Sequence, residues 1–232
     1  SYMHQAPISF VCDIVEGIRS ISNGVPPRQT WADGAPAKVR QTLAGAYGQN
    51  EAWGPAAITT TIRKVAPRDT VVTVDSGAHR ILFSQVWEAY VPHAVLQSTG
   101  LCTMGCALPL AIGAKLAAPD RPVIAFTGDG GLEMVLGELV TLRDLKLPVV
   151  VVVLVDASLA LIEKKQREMN YANVGVDMIE TDFESLAKVL GGNGVTVEDR
   201  GALEVAMRDA LRADTYTVIA AKLPRGSYDG RI

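Results

Sequence analysis

Hydrophobic residues along the chain alternate between short runs rich in valine, isoleucine and threonine and longer stretches in which they recur at helical spacing. Six of the short runs are predicted to be strands. They cover residues 70–74, 94–97, 123–127, 149–155, 195–197 and 215–221. Residues 149–155 are apolar at every position, which is typical of a central parallel strand covered by helices on both faces.

The longer stretches predict amphipathic helices between the strands. They cover residues 55–65, 107–116, 132–146, 183–190 and 202–211. In residues 132–146, for example, Leu132, Leu136 and Leu139 share one face, and most charged residues lie elsewhere. The regular alternation of strand and helix predicts a doubly wound α/β domain built on a six-stranded parallel sheet.

The first 35 residues follow a different pattern. Residues 8–14 form one strand-like apolar run, and residues 24–27 and 34–36 are rich in glycine and proline, as is typical of a linker. Because one strand cannot make a domain, we expect residues 1–35 to be the tail of a preceding domain with its linker. Residues 36–232 would then form the α/β domain.

Composition and charge indicate which classes of partner and which cellular location to expect. The 232 residues carry 22 lysines and arginines against 25 aspartates and glutamates, and no basic cluster is present, so neither nucleic acid nor an anionic membrane surface is expected as a partner. The longest apolar run, residues 147–155, is interrupted by Pro148 and is far shorter than the roughly 20 residues that a membrane-spanning helix needs. Cys12, Cys102 and Cys106 are too few for a disulfide framework and favour a reducing cytoplasm.

Residues 127–131, Thr-Gly-Asp-Gly-Gly, lie directly after one predicted strand and directly before a predicted helix. At such a turn the glycines let the backbone approach a phosphate, and the helix N-terminus offers unpaired amides. Asp129 is itself an anion, so a phosphate beside it requires a cation, and Mg²⁺ takes carboxylate and phosphate oxygens together. An isolated Gly-Asp-Gly is more often an ordinary turn, which is the alternative for this motif.

Asp156 supplies a second carboxylate at the end of the next predicted strand, 27 residues after Asp129. The carboxyl ends of adjacent parallel strands joined by one crossover lie side by side. The spacing therefore predicts that Asp129 and Asp156 can ligate one Mg²⁺ ion.

With these two carboxylates the chain resembles the C-terminal, diphosphate-binding domain of thiamine-diphosphate enzymes, particularly the acetolactate synthase-like group. In that family the Gly-Asp-Gly turn is followed at this distance by an asparagine pair whose second member binds the metal, whereas this chain has Val155 and Asp156 there. The resemblance implies the thiamine diphosphate-binding fold, with Asp129, Asp156 and the backbone carbonyl of Ser158 as metal ligands. It assigns the diphosphate end of the cofactor to Gly128, Asp129, Gly130, Gly131, Asp156, Ser158, Leu159 and Ala160.

Two upstream segments extend the resemblance. Residues 100–105 look like the family segment that supports the bent cofactor, with Met104 as a wedge between its two rings and the Cys102 carbonyl as the acceptor for its amine. These are the catalytic roles that the resemblance implies, and core filling is the alternative for Met104. Residues 75–79 are similar to the family segment that closes over the diphosphate, where His79 would bind a phosphate oxygen; a histidine in a surface loop is the alternative. The cofactor-binding residues implied here are Ser76, Gly77, Ala78 and His79.

Other polar residues in these segments receive no catalytic role. Cys102 and Cys106 lack the further ligands that zinc requires and are expected to be small buried residues. Glu133 is expected in the first turn of a helix, where the helix dipole favours an acid. Residues 164–166, Lys-Lys-Gln, either face the substrate or form a solvated helix face.

By resemblance the protein is a thiamine-diphosphate- and magnesium-dependent carboligase or lyase that acts on 2-oxo acids. A pyrimidine-binding domain carrying a catalytic glutamate is expected before residue 1 or on another chain, so the 232 residues alone are expected to be inactive. The resemblance also implies a homodimer or homotetramer in the cytoplasm, and some relatives hold FAD in a preceding domain. The alternatives are a simple 2-oxo acid decarboxylase and a non-catalytic cofactor-binding or assembly module. A nicotinamide-binding domain is set aside because residues 75–79 lack Gly-x-Gly-x-x-Gly.

Overall fold

Strands and helices alternate through most of the computed structural model, which describes residues 8–27 and 31–232. The contacts divide the chain into two units, Ser1–Gln41 and Thr42–Ile232, and the larger unit contains the sheet. The strands are β1 (Val71–Val74), β2 (Val95–Gln97), β3 (Val123–Gly128), β4 (Val150–Val155), β5 (Asn193–Val197) and β6 (Thr217–Lys222). The helices are α1 (Ile14–Ser22), α2 (Ala35–Ala46), α3 (Pro55–Val65), α4 (Ala78–Val86), α5 (Ala107–Ala117), α6 (Asp129–Glu133), α7 (Glu138–Asp144), α8 (Ala160–Glu168), α9 (Phe183–Val189) and α10 (Arg200–Ala210).

The six strands form one parallel sheet in the order β2-β1-β3-β4-β6-β5, so the predicted six-stranded parallel sheet is confirmed. From β1 the chain passes to β2 on one side and then to β3 on the other. Where the strand order reverses in this way, the loops that follow the strands diverge and leave a crevice at the carboxyl ends. Asp75, Asp129 and Asp156 directly follow β1, β3 and β4, and all three therefore lie at this edge.

The core consists of two apolar layers, one on each face of the sheet. In β4 the alternation of side chains sends Val152 into the layer formed with α3, α4 and α10, and Val151 and Val153 into the layer formed with α5, α7 and α9. Every residue of β4 is buried, as predicted for a central strand. Burying a side chain of this size stabilises the fold by about 1.5–3 kcal/mol, so β4 is a main source of stability.

The helix predicted over residues 132–146 is wrong as a single element. The segment forms two short helices, α6 and α7, which are separated by a turn. Gly137 directly precedes α7, and glycine costs a helix interior about 1 kcal/mol relative to alanine. Glu133 is consequently the last residue of α6 rather than part of a first turn, and it accepts a hydrogen bond from the Thr181 hydroxyl.

The predicted strand over residues 8–14 is also wrong. No strand is described in residues 8–13, and Ile14 begins α1, because the Asp13 side chain accepts hydrogen bonds from the amides of Val15 (2.9 Å) and Glu16 (3.3 Å) and so caps a helix. The linker predicted at residues 34–36 is replaced by the start of α2, where Pro36 occupies the first turn that tolerates proline.

None of the helices in residues 8–27 and 31–232 is long and apolar enough to cross a membrane.

Candidate cofactor site

A cavity of about 230 Å³ opens at the carboxyl ends of β1, β3 and β4. The structure brings all of the predicted site residues to its lining. They are Ser76, Gly77, Ala78, His79, Cys102, Met104, Gly128, Asp129, Gly130, Gly131, Asp156, Ser158, Leu159 and Ala160. Four segments that are distant in the sequence therefore meet where the topology leaves a crevice.

Asp129 is buried, and its side chain accepts hydrogen bonds from the backbone of the loop that carries Asp156. Its Oδ1 accepts a hydrogen bond from the Gly130 amide (2.8 Å), and its Oδ2 accepts from the amides of Ala157 (2.8 Å) and Asp156 (3.1 Å). Burial raises the pKa of Asp129, and these amides oppose that effect. The Asp129 carboxylate thus holds the loop after β4, which carries Asp156, beside the Gly128–Gly131 turn.

Asp156 lies close enough to Asp129 for the two charges to interact. Burial, and then the charge of Asp129, raise the pKa of Asp156 to about 7, although the Ser158 amide donates to its Oδ1 at 3.3 Å. Two neighbouring carboxylates whose pKa values are both raised are the arrangement that a divalent cation stabilises. In the part of the chain that the structure describes, no three His, Cys, Asp or Glu side chains cluster as metal ligands, so a cation here needs backbone and ligand oxygens as well.

His79 lies in α4 and is buried, so the alternative of a surface-loop histidine is wrong. Burial lowers the pKa of His79 to about 4, and the charge and backbone carbonyl of Asp75 oppose that shift. Its Nε2 is buried and has no hydrogen-bond partner among the described residues. A Cβ at Gly77 would lie 2.8 Å from the imidazole Cε1, so the ring requires glycine at this position. The cavity therefore holds a neutral imidazole with an unsatisfied nitrogen.

Met104 and Cys102 lie in the irregular segment before α5. Met104 is half-buried, lines the cavity and belongs to none of the apolar core clusters of the described residues, which argues against the core-filling alternative. Cys102 is exposed and has a left-handed backbone (φ 51°), so the expectation of a small buried residue is wrong for it. Cys106 is half-buried.

Comparison with known proteins decides the family. Residues 75–221 match the family model "Thiamine pyrophosphate enzyme, C-terminal TPP binding domain", where thiamine pyrophosphate is another name for thiamine diphosphate. The chain belongs to this family. The resemblance drawn from the sequence is therefore confirmed.

Curated relatives of this TPP-binding domain include acetolactate synthases. The large subunit from Parasynechococcus marenigrum is 32% identical over 204 residues, which cover 85% of this chain and 31% of the relative. The enzyme from Bacillus subtilis is 32% identical over 165 residues, covering 71% and 29% of the two chains. The chain thus spans about a third of the length of the curated relatives it matches.

Among solved structures, the Rhodococcus jostii thiamine diphosphate-dependent 4-hydroxybenzoylformate decarboxylase is similar to this chain with a TM-score of 0.71 and 26% sequence identity. The match covers 76% of this chain and 33% of that one.

In the TPP-binding domain, further hydrogen bonds hold the loop that follows β4. The Leu159 amide donates to the Val176 carbonyl (2.9 Å), and the Met178 amide donates to the Ala157 carbonyl (3.1 Å). The Ser158 hydroxyl hydrogen-bonds the buried Glu163 carboxylate. These contacts hold the loop whose carbonyl was predicted as a metal ligand.

Four residues that line the cavity were not among the site residues predicted from the sequence. They are Leu154, Leu161, Ile162 and Tyr228. Tyr228 follows β6, is buried, and has a pKa raised well above its ordinary value by burial. No motif surrounds it, so only the folded chain could reveal its position. In contrast, none of residues 164–166 lines the cavity: Lys164 is buried against Glu168, and Lys165 is exposed.

Proposed function

We propose that this chain is the cofactor diphosphate-binding part of a thiamine-diphosphate-dependent carboligase or lyase that acts on 2-oxo acids, of the acetolactate synthase type. The observation that carries the proposal is the convergence of Asp129, Asp156, His79 and Met104 on one cavity of a TPP-binding domain. The curated acetolactate synthases among its relatives support the reaction class.

The residues of the cavity fit thiamine diphosphate with magnesium. Mg²⁺ is commonly held by one or two carboxylates together with phosphate oxygens, and here Asp129, Asp156 and the Ser158 carbonyl would hold it. With its single proton on Nε2, the neutral His79 imidazole would donate to a phosphate oxygen. A Cβ at Gly131 would collide with the Asp75 carboxylate, so glycine lets the turn pack closely there.

At the ring end, Met104 would support the bent cofactor and the Cys102 carbonyl would accept a hydrogen bond from its amine. The unbranched thioether of methionine suits an irregular gap of this kind. When bound, thiamine diphosphate supplies the electron sink for cleaving the bond beside the keto group. The chain's own contribution is to orient the rings and to exclude water from them with the apolar wall formed by Leu159, Leu161 and Ile162.

We propose that a pyrimidine-binding domain with a catalytic glutamate completes the site, from the rest of the protein or from another chain. The cavity of about 230 Å³ is smaller than the range of about 300–1,000 Å³ that ligand sites occupy. Leu101 is 93% exposed and Met134 62% exposed in the segments that lead to the cavity, which supports a partner surface there. A homodimer or homotetramer is the assembly that we propose.

Two further properties of the whole protein are proposed on the sequence alone. The low cysteine count supports a cytoplasmic location. FAD, where a relative holds it, belongs to a preceding domain, and none of the described residues is assigned to it.

A simple 2-oxo acid decarboxylase is the second candidate function, because the Rhodococcus jostii structure that resembles this chain is a decarboxylase. Incubating the full-length protein with pyruvate, thiamine diphosphate and Mg²⁺ separates the two. We expect carbon dioxide together with a product that joins two substrate molecules. Carbon dioxide with the free aldehyde alone would favour the decarboxylase. Cofactor binding without carbon dioxide release from any 2-oxo acid tested would contradict both and favour the non-catalytic module.

A further inference from the structure

Asp75, at the end of β1, is a buried carboxylate that none of the predicted roles covers. Its side chain has no exposed surface and stands behind the cavity rather than in its lining. Each hydrogen bond it accepts comes from an N–H, O–H or S–H donor. The donors are the amides of Ser76 (2.9 Å), Gly105 (2.9 Å) and Cys106 (3.1 Å), the Thr127 hydroxyl (2.9 Å) and the Cys106 thiol (3.4 Å).

One oxygen of this carboxylate joins two ends of the candidate site. Oδ2 of Asp75 accepts from the Gly105 amide and from the Thr127 hydroxyl. Gly105 directly follows Met104, the residue proposed to contact the rings of the cofactor. Thr127 lies two residues before Asp129, which is proposed to hold the metal. The ring end and the metal end are therefore both hydrogen-bonded to the same atom.

The other carboxylate oxygen of Asp75 binds the Ser76 segment and the start of α5, and Gly131 packs closely against the side chain. Oδ1 of Asp75 accepts from the Ser76 amide, which begins the segment that leads to His79, and from the Cys106 amide before α5. A Cβ placed on Gly131 would collide with Oδ2 of Asp75 and would lie 2.8 Å from the Thr127 hydroxyl oxygen. Three of the four cavity segments thus touch one side chain.

We propose that Asp75 is a positioning residue that fixes the Met104 segment relative to the Gly128–Asp129 turn, so that the ring and metal ends of the cofactor site keep a constant separation. The proposal rests on the proposed function, because it assigns Asp75 a role towards the same cofactor. Asp75 acts through Gly105 and Thr127 and does not itself contact the cofactor.

A carboxylate suits this role better than the isosteric amide. An ionised carboxylate offers acceptors only, and its two oxygens face donors on both sides. The NH₂ group of asparagine would face a backbone N–H in either orientation, leaving buried donors without acceptors. Asp75→Asn is therefore expected to separate the segments even though it keeps the shape of the side chain.

Thr73 provides a matched control for the hydrogen bond of Thr127. It is buried in β1, two residues before Asp75, and its hydroxyl donates to the Ala107 carbonyl at 2.7 Å. Both threonines are buried strand residues with a hydroxyl that donates inside the domain, and the Thr127 hydroxyl lies within reach of the Gly128 carbonyl (3.0 Å) as well as of Asp75. Only the bond of Thr127 reaches Asp75, so Thr→Val at the two sites removes the same chemistry from different places.

The first test measures the affinity of the full-length protein for thiamine diphosphate with Mg²⁺ by calorimetry, alongside thermal unfolding. We expect Thr127→Val to weaken cofactor binding about 10-fold, as is typical when the partner of a site residue is lost. Thr73→Val should lower the melting temperature to a similar degree and change the affinity less than about 2-fold, since its hydroxyl donates to the Ala107 carbonyl and not to Asp75. Asp75→Asn should weaken binding more than Thr127→Val does, and Thr127→Val still decides the question if Asp75→Asn fails to fold.

The second test measures turnover with Met104→Ala in combination with each threonine variant. If Asp75 transmits the position of Met104, the fold-loss of Met104→Ala with Thr127→Val will be smaller than the product of the single losses, whereas the pair with Thr73→Val will multiply. Equal affinity changes for the two threonine variants, or multiplicative losses in both pairs, would overturn the positioning role alone. A wild-type protein that does not bind thiamine diphosphate would overturn the proposed function with it.

Discussion

At the scale of single residues, two aspartates organise neighbouring parts of the cavity. Asp129 accepts hydrogen bonds from the amides of the β4 loop, and Asp75 accepts from the segments around Met104 and Thr127. Each side chain follows a strand of the same sheet, and each holds backbone that comes from another strand. The chemistry of the site is therefore set by a few buried acceptors at the ends of β1 and β3.

The metal assignment can be tested by removing each carboxylate. We expect Asp129→Ala and Asp156→Ala each to weaken magnesium-dependent binding of thiamine diphosphate about 10–100-fold in calorimetry, because each would lose an oxygen ligand or its support. Asp144→Ala, at an exposed residue paired with Arg143, is the matched control and should bind as the wild type does. Unchanged binding in both site variants would contradict the metal assignment.

The burial of His79 predicts a pH dependence of stability. Its pKa is about 4 in the folded chain against an ordinary value of 6.5, so the unfolded chain takes up the proton first as the pH falls. The contribution to stability is complete above pH 6.5 and is lost as the pH falls towards 4. Between pH 7.5 and 5, His79→Gln should lose roughly 2 kcal/mol less unfolding free energy than the wild type in urea titrations.

His93 is the control for this titration, because it is exposed. His93→Asn should keep the wild-type difference between the two pH values. A wild-type slope in His79→Gln would mean that other groups cause the acid sensitivity.

At the scale of elements, the sequence predicts best where burial on both faces leaves no ambiguity. The unbroken apolar run of β4 fits only a central strand, and the structure has it there. Residues 8–14 were misjudged because a short apolar run suits a strand or a helix equally, and the cap at Asp13 decides for the helix. Tyr228 could not be predicted, since its contact with the cavity depends on how the chain after β6 folds back.

Two glycines, Gly131 within α6 and Gly137 directly before α7, give an element-scale prediction. Gly131→Ala would place a Cβ against Asp75 and Thr127, and overpacking of this kind costs about 1–3 kcal/mol. Gly137 has helical angles (φ −58°, ψ −25°) and open space around its Cα, so Gly137→Ala should stabilise the domain by about 0.4–1 kcal/mol. Thermal unfolding of the two variants measures whether each substitution lowers or raises the stability. A stabilising Gly131→Ala would contradict the close packing around Asp75.

At the scale of the whole molecule, the described residues form one side of the cofactor site that we propose. The cavity lies at one edge of the sheet. Leu101 directly precedes the lining residue Cys102, and Ile179 directly follows Met178, whose amide donates to the Ala157 carbonyl of the β4 loop. Both apolar side chains are more than nine-tenths exposed. The two core layers, by contrast, are closed by helices on both faces of the sheet. Leu101 and Ile179 therefore belong to the cavity edge rather than to an incomplete core.

The 232 residues alone are expected not to turn over any 2-oxo acid, even with excess thiamine diphosphate and Mg²⁺. The catalytic glutamate that the family takes from a pyrimidine-binding domain has no counterpart assigned in these residues, and an acid–base step of this kind is typically worth about 10²–10⁴-fold. Carbon dioxide release from pyruvate by residues 1–232 would be compared with release by the full-length protein. Comparable rates would mean that a base within this chain supplies the proton transfer.

The cavity residues extend from Ser76 after β1, through the segments after β3 and β4, to Tyr228 after β6, so the pocket exists only when the centre of the sheet is already folded. An unfolded or half-folded chain has no such pocket, and a ligand that binds only the native form shifts the equilibrium towards it. Cellular proteases act on the unfolded population, whose size sets how long a marginally stable protein persists. Cofactor supply would therefore govern the abundance of this protein through its rate of degradation, in addition to the fraction that is ready to react.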